Sequence, residues 1–187
     1  MDFMESGREY PPGNVMGKAG IAAMDQTRAI SACFTGHRIL ASEKTFLDLR
    51  VKLAVHRLAD QGFVWFLSGM AMGFDLLAAE AVLGLRDRLP VRLAAILPCP
   101  PEQYTAAWAD GDRRRLAAIL EQADRTVTVS PAYGEDCFLV RNRYLVEHSA
   151  YVLACLEHAA GGTAYTVHLA GEQGLPVWNL ADPGVLG

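Results

Sequence analysis

The sequence predicts an α/β chain of the Rossmann-like, doubly wound type, a mostly parallel sheet with helices on both faces. Three observations predict it. Short runs such as Phe63-Val64-Trp65-Phe66-Leu67 and Tyr151-Val152-Leu153-Ala154-Cys155-Leu156 are almost wholly apolar, whereas a strand with one wet face would alternate. These runs are separated by stretches of helical periodicity, the order of a parallel sheet with crossover helices. Three of them end in glycine-containing turns, and the last two turns open directly into a helix: Thr35-Gly36-His37-Arg38, Ser68-Gly69-Met70-Ala71-Met72-Gly73-Phe74-Asp75 and Gly161-Gly162-Thr163.

Residues 1–27 hold Pro11, Pro12 and several glycines among scattered charges with no sustained period, and are expected to form a flexible extension; Met24 is a possible natural start. Residues 28–187 are read as one Rossmann-like domain, the natural prior for this length. A first strand is expected over 29–34. A helix over 44–61 follows, with Leu47, Val51, Ala54, Val55 and Leu58 on one stripe and Gly62 ending it. A strand over 63–67 leads through the central turn to a helix over 74–88, ended by Pro90. The strand over 91–97 is closed by Pro98-Cys99-Pro100-Pro101, which cannot continue inside a sheet. Residues 98–112 read as a loop or short helix able to fold over something. Leu116, Ile119, Leu120 and Ala123 mark another helix, followed by a strand over 126–129. Asp136 is a plausible N-cap for a helix to 149. A strand over 151–156, a helix from 161 to 173 and a last strand over 177–180 complete the chain.

Composition narrows the function classes. The chain is 51% hydrophobic and 20% charged with a formal net charge of −4, so no overall basic field draws it to nucleic acid or to an anionic membrane, and nucleic acid is not expected as a partner. Any bound anion must be held by local groups. No apolar run reaches the roughly 18 residues of a membrane span. Cys33, Cys99, Cys137 and Cys155 are too scattered for a zinc or redox motif and read as reduced thiols, which favours the cytoplasm; no metal and no resident cofactor is implied.

Ligands of open parallel sheets bind beyond the carboxyl ends of the strands, where successive connections diverge to opposite faces. All three glycine turns lie at that edge. Gly161-Gly162-Thr163 is the best phosphate candidate, because no acid follows in its helix before Glu172 and Thr163 adds a hydroxyl. A helix dipole alone contributes at most about 2 kcal/mol, against roughly 8 kcal/mol for micromolar affinity, so other donors are needed. Arg38, beyond Thr35 and Gly36, is one, and His37 beside it is a further contact candidate. Arg141 is another: with Asn142 it interrupts a largely apolar helix, and a buried arginine requires an anion. That anion could be a ligand phosphate, or instead Glu147, Asp136 or a main-chain carbonyl. Asp75 lies in the first turn of its helix and would repel a phosphate, so the central loop, with Ser68, Gly69 and Gly73, is assigned to a ribose or base with Asp75 accepting from a hydroxyl or ring N–H; a plain helix-start acid is the alternative. Glu80 reads as structural. Tyr104, Trp108 and Tyr133 are either core or base-stacking aromatics.

Taken as an ordered set, TGHR at 35–38, SGMAMGFD at 68–75 with Glu80, Pro98 with Gln103 and Trp108, Tyr133, Arg141-Asn142 and GGTAYTV at 161–167 resemble the YpsA-like branch of the SLOG superfamily, which also groups the DprA proteins and the Lonely guy phosphoribohydrolases. The resemblance covers about residues 30–180. It implies binding of a nucleotide or nucleotide-derived ligand such as an ADP-ribose-like molecule, a sensor role and a homo-oligomer. Carried over residue by residue, it implies ligand contacts from Thr35, Gly36, Arg38, Ser68, Gly69, Gly73, Asp75, Arg141, Asn142, Gly161, Gly162 and Thr163. One departure bears on catalysis. Lonely guy enzymes follow their glycine turn with a glutamate, in a pattern resembling PGGxGTxxE, and this chain has no acid there. General acid–base help is worth about 10²–10⁴ in rate, so hydrolysis of an N-glycosidic or pyrophosphate bond is the secondary expectation, with Asp75 or Glu80 as the candidate acids.

Overall fold

The computed structural model describes residues 26–40 and 43–182. The expected N-terminal extension, apart from Gln26 and Thr27, and Met24 lie outside the described residues.

Among the described residues six strands form one sheet: β1 Ser31–Gly36, β2 Trp65–Ser68, β3 Arg92–Leu97, β4 Arg125–Thr128, β5 Tyr151–Cys155 and β6 Val177–Asn179. Their order is β4-β3-β2-β1-β5-β6, and every pairing is parallel. The helices are α1 Lys44–Asp60, α2 Phe74–Leu85, the single turn α3 Pro101–Tyr104, α4 Asp110–Gln122, α5 Cys137–Glu147 and α6 Gly161–Glu172.

The apolar strands sort their residues by parity. Ala32, Phe34, Phe66, Leu93, Ala95, Leu97 and Leu153 pack with α1, α2 and α4 in one core. Their neighbours Cys33, Trp65, Leu67, Ala94, Ile96, Val152 and Ala154 pack with α5 and α6 in the other. Strands buried on both faces explain why the sequence shows no alternation. In the first core, Phe34 stacks on Phe66 with ring centroids 6.0 Å apart and meets Phe74 edge-on at 6.2 Å, contacts worth about 0.5–1.5 kcal/mol each beyond area burial.

From β1 the chain winds outward through β2, β3 and β4, with its crossovers on one face. It then returns by α5 on the opposite face to place β5 against β1, in register from Ala32↔Tyr151 to Gly36↔Cys155. Right-handed crossovers require this change of face when the winding direction reverses. The chain leaving β1 and the chain leaving β5 therefore diverge, and a cleft opens between them.

Two expectations shift in detail. The first strand begins at Ser31, because Arg28–Ile30 form a 3-10 turn held by Ile30 N–H and Ser31 Oγ donating to the Thr27 carbonyl. Asp136 precedes α5 but makes no side-chain cap hydrogen bond. Residues 101–104 supply the short helix foreseen after the proline run.

Candidate functional site

The cleft at the β1/β5 divergence has a volume of about 370 Å³ and draws on four segments. Thr35, Gly36, His37 and Arg38 come from the end of β1; Ala71 and Asp75 from the β2–α2 turn; Phe138, Leu139, Arg141, Asn142 and Leu145 from α5; Gly162 and Thr163 from the start of α6; Phe34 is also in its wall. The three glycine turns therefore meet at one rim of the sheet.

Gly73 brings the first two turns together. Its φ is +78°, and a Cβ there would run into the carbonyl oxygens of His37 and Arg38. A side chain at 73 is excluded by both conformation and space. The Phe74 N–H donates to the His37 carbonyl at 3.2 Å, completing the junction. Within the central turn, Met70 takes a positive φ of 54° while fully buried, a strained state for a residue with a side chain. Tyr104 Oη, donating to the Met70 carbonyl at 3.3 Å, helps to hold it.

Arg141 and Asp75 form the floor. Arg141 Nη1 donates to the Gly69 carbonyl and lies 3.3 Å from Asp75 Oδ2, which also accepts from Ala71 N–H at 3.3 Å. A Cβ at Gly69 would collide with the guanidinium. Both side chains are nearly inaccessible, at 7% and 5%. Among the described residues, Asp75 Oδ1 and Arg141 Nε are buried without a hydrogen-bond partner. Burial raises the Asp75 carboxyl to about 6, against the opposing pull of Arg141, the Ala71 N–H and Arg38; burial likewise lowers Arg141.

Arg38 is exposed and lies over the Phe138 ring, 5.2 Å from its centroid. Among the described residues it has no ion-pair partner. The first turn of α6 contains no acid, and its N-cap, Ala160, offers no side-chain acceptor. That N-terminus therefore keeps its dipole and free N–H groups for an anion. Asn142 Nδ2 reaches the Gly162 carbonyl at 3.4 Å, tying α5 to this turn. His37 and His158 stack with centroids 3.7 Å apart and an interplanar angle of 23°, and His158 N–H donates to His37 Nε2 at 3.4 Å. Burial first, then the neighbouring His158, lowers the His37 pKa, with Glu157 opposing.

The expected site residues fall into three groups. Thr35, Gly36, His37, Arg38, Asp75, Arg141, Asn142, Gly162 and Thr163 line the cleft. Ser68, Gly69, Gly73 and Gly161 sit behind or beside it: Ser68 Oγ donates to the Asp75 carbonyl at 2.8 Å, and Gly161, at φ +82°, turns the chain into α6. Glu80 is elsewhere, its two oxygens held by Arg115 at 2.7 and 2.9 Å. Tyr104 and Trp108 are core residues, packed edge-on at 5.5 Å, and none of residues 98–112 lines the cleft. Phe138, Leu139 and Leu145 are contributors the turns did not reveal. The spacing 138, 141, 142, 145 is one face of a helix, and that face was legible. Among the described residues no cluster of three or more His, Cys, Asp or Glu could hold a metal ion, and no helix is long and apolar enough to cross a membrane.

A doubly wound parallel sheet with a cleft at its switch point defines a class of Rossmann-like α/β domains rather than one protein. Within that class the model of the YspA SLOG family matches residues 41–174, and the chain belongs to this family. A UPF0398 protein of Halalkalibacterium halodurans is 28% identical over 130 residues, covering 67% of this chain and 68% of its own length. One from Staphylococcus epidermidis is 27% identical over 116 residues, 60% of this chain and 61% of its own. In three dimensions the chain is similar to DNA processing protein A (DprA) of Streptococcus pneumoniae, with a TM-score of 0.61 and 20% identity over 82% of this chain and 50% of that one. It is also similar to DNA processing protein A of Helicobacter pylori, described for its single-stranded DNA binding mode, with a TM-score of 0.55 and 19% identity over 86% and 67%.

The H. pylori protein corrects the expectation that nucleic acid is an improbable partner. That protein shares this fold and is described as binding single-stranded DNA, so a net charge of −4 is no ground for excluding nucleic acid. Phosphates are read by local donors, and a whole-chain charge does not report those.

Proposed function

We propose that this domain binds a nucleotide or nucleotide-derived ligand at the carboxyl edge of its sheet, as a sensor or regulatory domain. The observation that carries the reading is the convergence of four segments on one cleft of about 370 Å³ that is lined by Arg38, Asp75, Arg141 and the start of α6. The anion is held by Arg38 and the start of α6. The central turn, through Asp75, takes the sugar or base. An assembly of identical chains belongs to this reading, supported by the exposed apolar residues Phe46, Leu49 and Leu53 along α1. A cytoplasmic setting is supported by four free cysteines.

A second reading, cleavage of an N-glycosidic or pyrophosphate bond in the ligand, draws on Asp75. A carboxyl raised to about 6 and seated in a cleft has the poise of an acid–base group. Its hold on Arg141 favours a positioning role over proton transfer.

Thermal shift against nucleoside phosphates, dinucleotides, ADP-ribose and a short single-stranded oligonucleotide tests the reading. A rise in Tm with a nucleotide, reduced in Arg38→Ala, supports it. No rise with any nucleotide rejects it, and a rise with the oligonucleotide alone moves the function to nucleic acid. Mass spectrometry of the incubated ligand separates the sensor from the hydrolase.

A further inference from the structure

Arg38 is exposed at the cleft, and among the described residues neither an ion pair nor a hydrogen bond holds its guanidinium. Its main chain is fixed, because the Arg38 carbonyl oxygen occupies the space where a Cβ on Gly73 would fall. What the side chain meets is the Phe138 ring, with Arg38 Cζ 5.2 Å from the centroid. A cation within about 6 Å of an aromatic face is attracted by the ring quadrupole. Stacking of this kind uses the flat face of a guanidinium and leaves its in-plane N–H groups free to donate.

Phe138 is itself held by two other rings. Tyr104 and Tyr133 each meet it edge-on with centroids 6.3 Å away, at interplanar angles of 90° and 78°. Tyr104 is buried in the first core, and its hydroxyl donates to the Met70 carbonyl at 3.3 Å. Tyr133 is exposed, but its N–H donates to Gln103 Oε1 at 2.7 Å, which ties the chain before α5 to α3. Gln103 and Tyr104, consecutive residues of α3, therefore act on the Phe138 ring although neither lines the cleft.

We propose that Phe138 is a positioning residue: braced by Tyr104 and Tyr133, its ring keeps the Arg38 guanidinium ordered at the cleft, so that the arginine meets a bound anion already in place. This rests on the anion role given to Arg38 above and adds how that role is set. Immobilising one rotamer-rich side chain on binding weakens a complex by about two- to tenfold, and a side chain ordered beforehand is spared that loss. The segment foreseen as a cover over the site works from behind it instead, through one ring.

NMR of the full chain, with isothermal titration of adenosine diphosphate and of inorganic pyrophosphate, tests the proposal. In the wild type the Phe138 ring current should displace the Arg38 Hδ and Hε resonances upfield. Phe138→Leu should return them to ordinary values and weaken both anions by about two- to tenfold; Phe138→Tyr, which keeps the ring, should preserve both the shifts and the affinity. In an Arg38→Ala background Phe138→Leu should weaken binding no further, because the ring acts only through the arginine. Ordinary Arg38 resonances in the wild type overturn the proposal without any variant, so a poorly folded Phe138→Leu does not shelter it. An equal loss from Phe138→Leu with and without Arg38 overturns it too, since the ring would then be plain wall or a direct ligand contact. Displaced Arg38 resonances in a chain that binds neither anion overturn the anion role of Arg38, and with it the task assigned to Phe138.

Discussion

Arg141 on α5 and Asp75 at the start of α2 meet at 3.3 Å with side chains only 7% and 5% exposed, and Arg141 donates to the Gly69 carbonyl as well. The pair couples two elements that belong to different faces of the sheet, and it does so at the base of the cleft. Desolvating two charges is costly, and removing one partner strands the other. Asp75→Ala is therefore expected to lower stability by about 3–5 kcal/mol. Asp75→Ala combined with Arg141→Met should recover much of that loss, because no buried charge is left. Urea denaturation of the two variants checks it; equal losses would show that the pair is not the cause.

The titrating groups of the cleft push stability in opposite directions. Asp75 holds its proton to about pH 6 when folded, against 3.8 in its ordinary state. The folded chain then binds more protons than the unfolded chain across that window, so this group's contribution falls as pH rises from about 4 to about 6 and is level above. Asp75→Asn should remove that slope. His37 has its folded value lowered from 6.5 by burial and by His158. Its contribution is fully present above the unfolded value and is lost as pH falls through it, so His37→Gln should flatten the decline below about pH 6.5. Melting temperatures of the three proteins between pH 4.5 and 8 test both signs.

Backbone proximity gives a sharper contrast. Gly73→Ala places a side chain at φ +78° against the His37 and Arg38 carbonyls, and strain at such a position costs about 1–3 kcal/mol before the collision is counted. It should also part the first two turns and weaken ligand binding. Gly84→Ala, inside α2 with open space around its Cβ, should stabilise by about 0.5–1 kcal/mol and leave binding untouched. If both behave alike, the contact between the turns is not what shapes the cleft.

Glu80 and Arg115 make a bidentate pair at 2.7 and 2.9 Å, partly exposed, with Asp112 beside it. Exposed and half-exposed pairs contribute about 0–1 kcal/mol. Glu80→Gln is expected to change stability by no more than that and to leave ligand affinity as it was. A large loss of affinity would return Glu80 to the site.

The fold was legible because strands buried on both faces leave a signal that survives without any alignment: continuous apolar runs, each followed by a helical stripe. The three turns were legible for the same reason, since glycine after an apolar run marks the carboxyl edge of such a sheet. Arg141 stood out as a charge on a buried helix with a main-chain carbonyl among its possible partners, which Gly69 supplies, but its acidic partner did not stand out. Asp75 lies 66 residues away, and only the register of β1 against its neighbours brings α5 over the central turn. Glu147 and Asp136, both near in sequence, were the residues that spacing could suggest. Met70 was silent because nothing in its identity signals a left-handed backbone. His158 was missed because its stacking on His37 arises from the adjacency of β1 and β5, which are distant in the chain. Overall charge was a poor ground for excluding nucleic acid because it averages over the whole surface, whereas phosphates are read by local donors.

The central claim is that separate turns build one ligand cleft, and backbone amide shifts on titrating a ribonucleoside monophosphate into the isotope-labelled chain test it most directly. The amides of His37, Arg38, Ala71, Asp75, Asn142, Gly162 and Thr163 should shift together and saturate at one concentration. Shifts confined to a single turn, or centred on the Glu80–Arg115 surface, would contradict it.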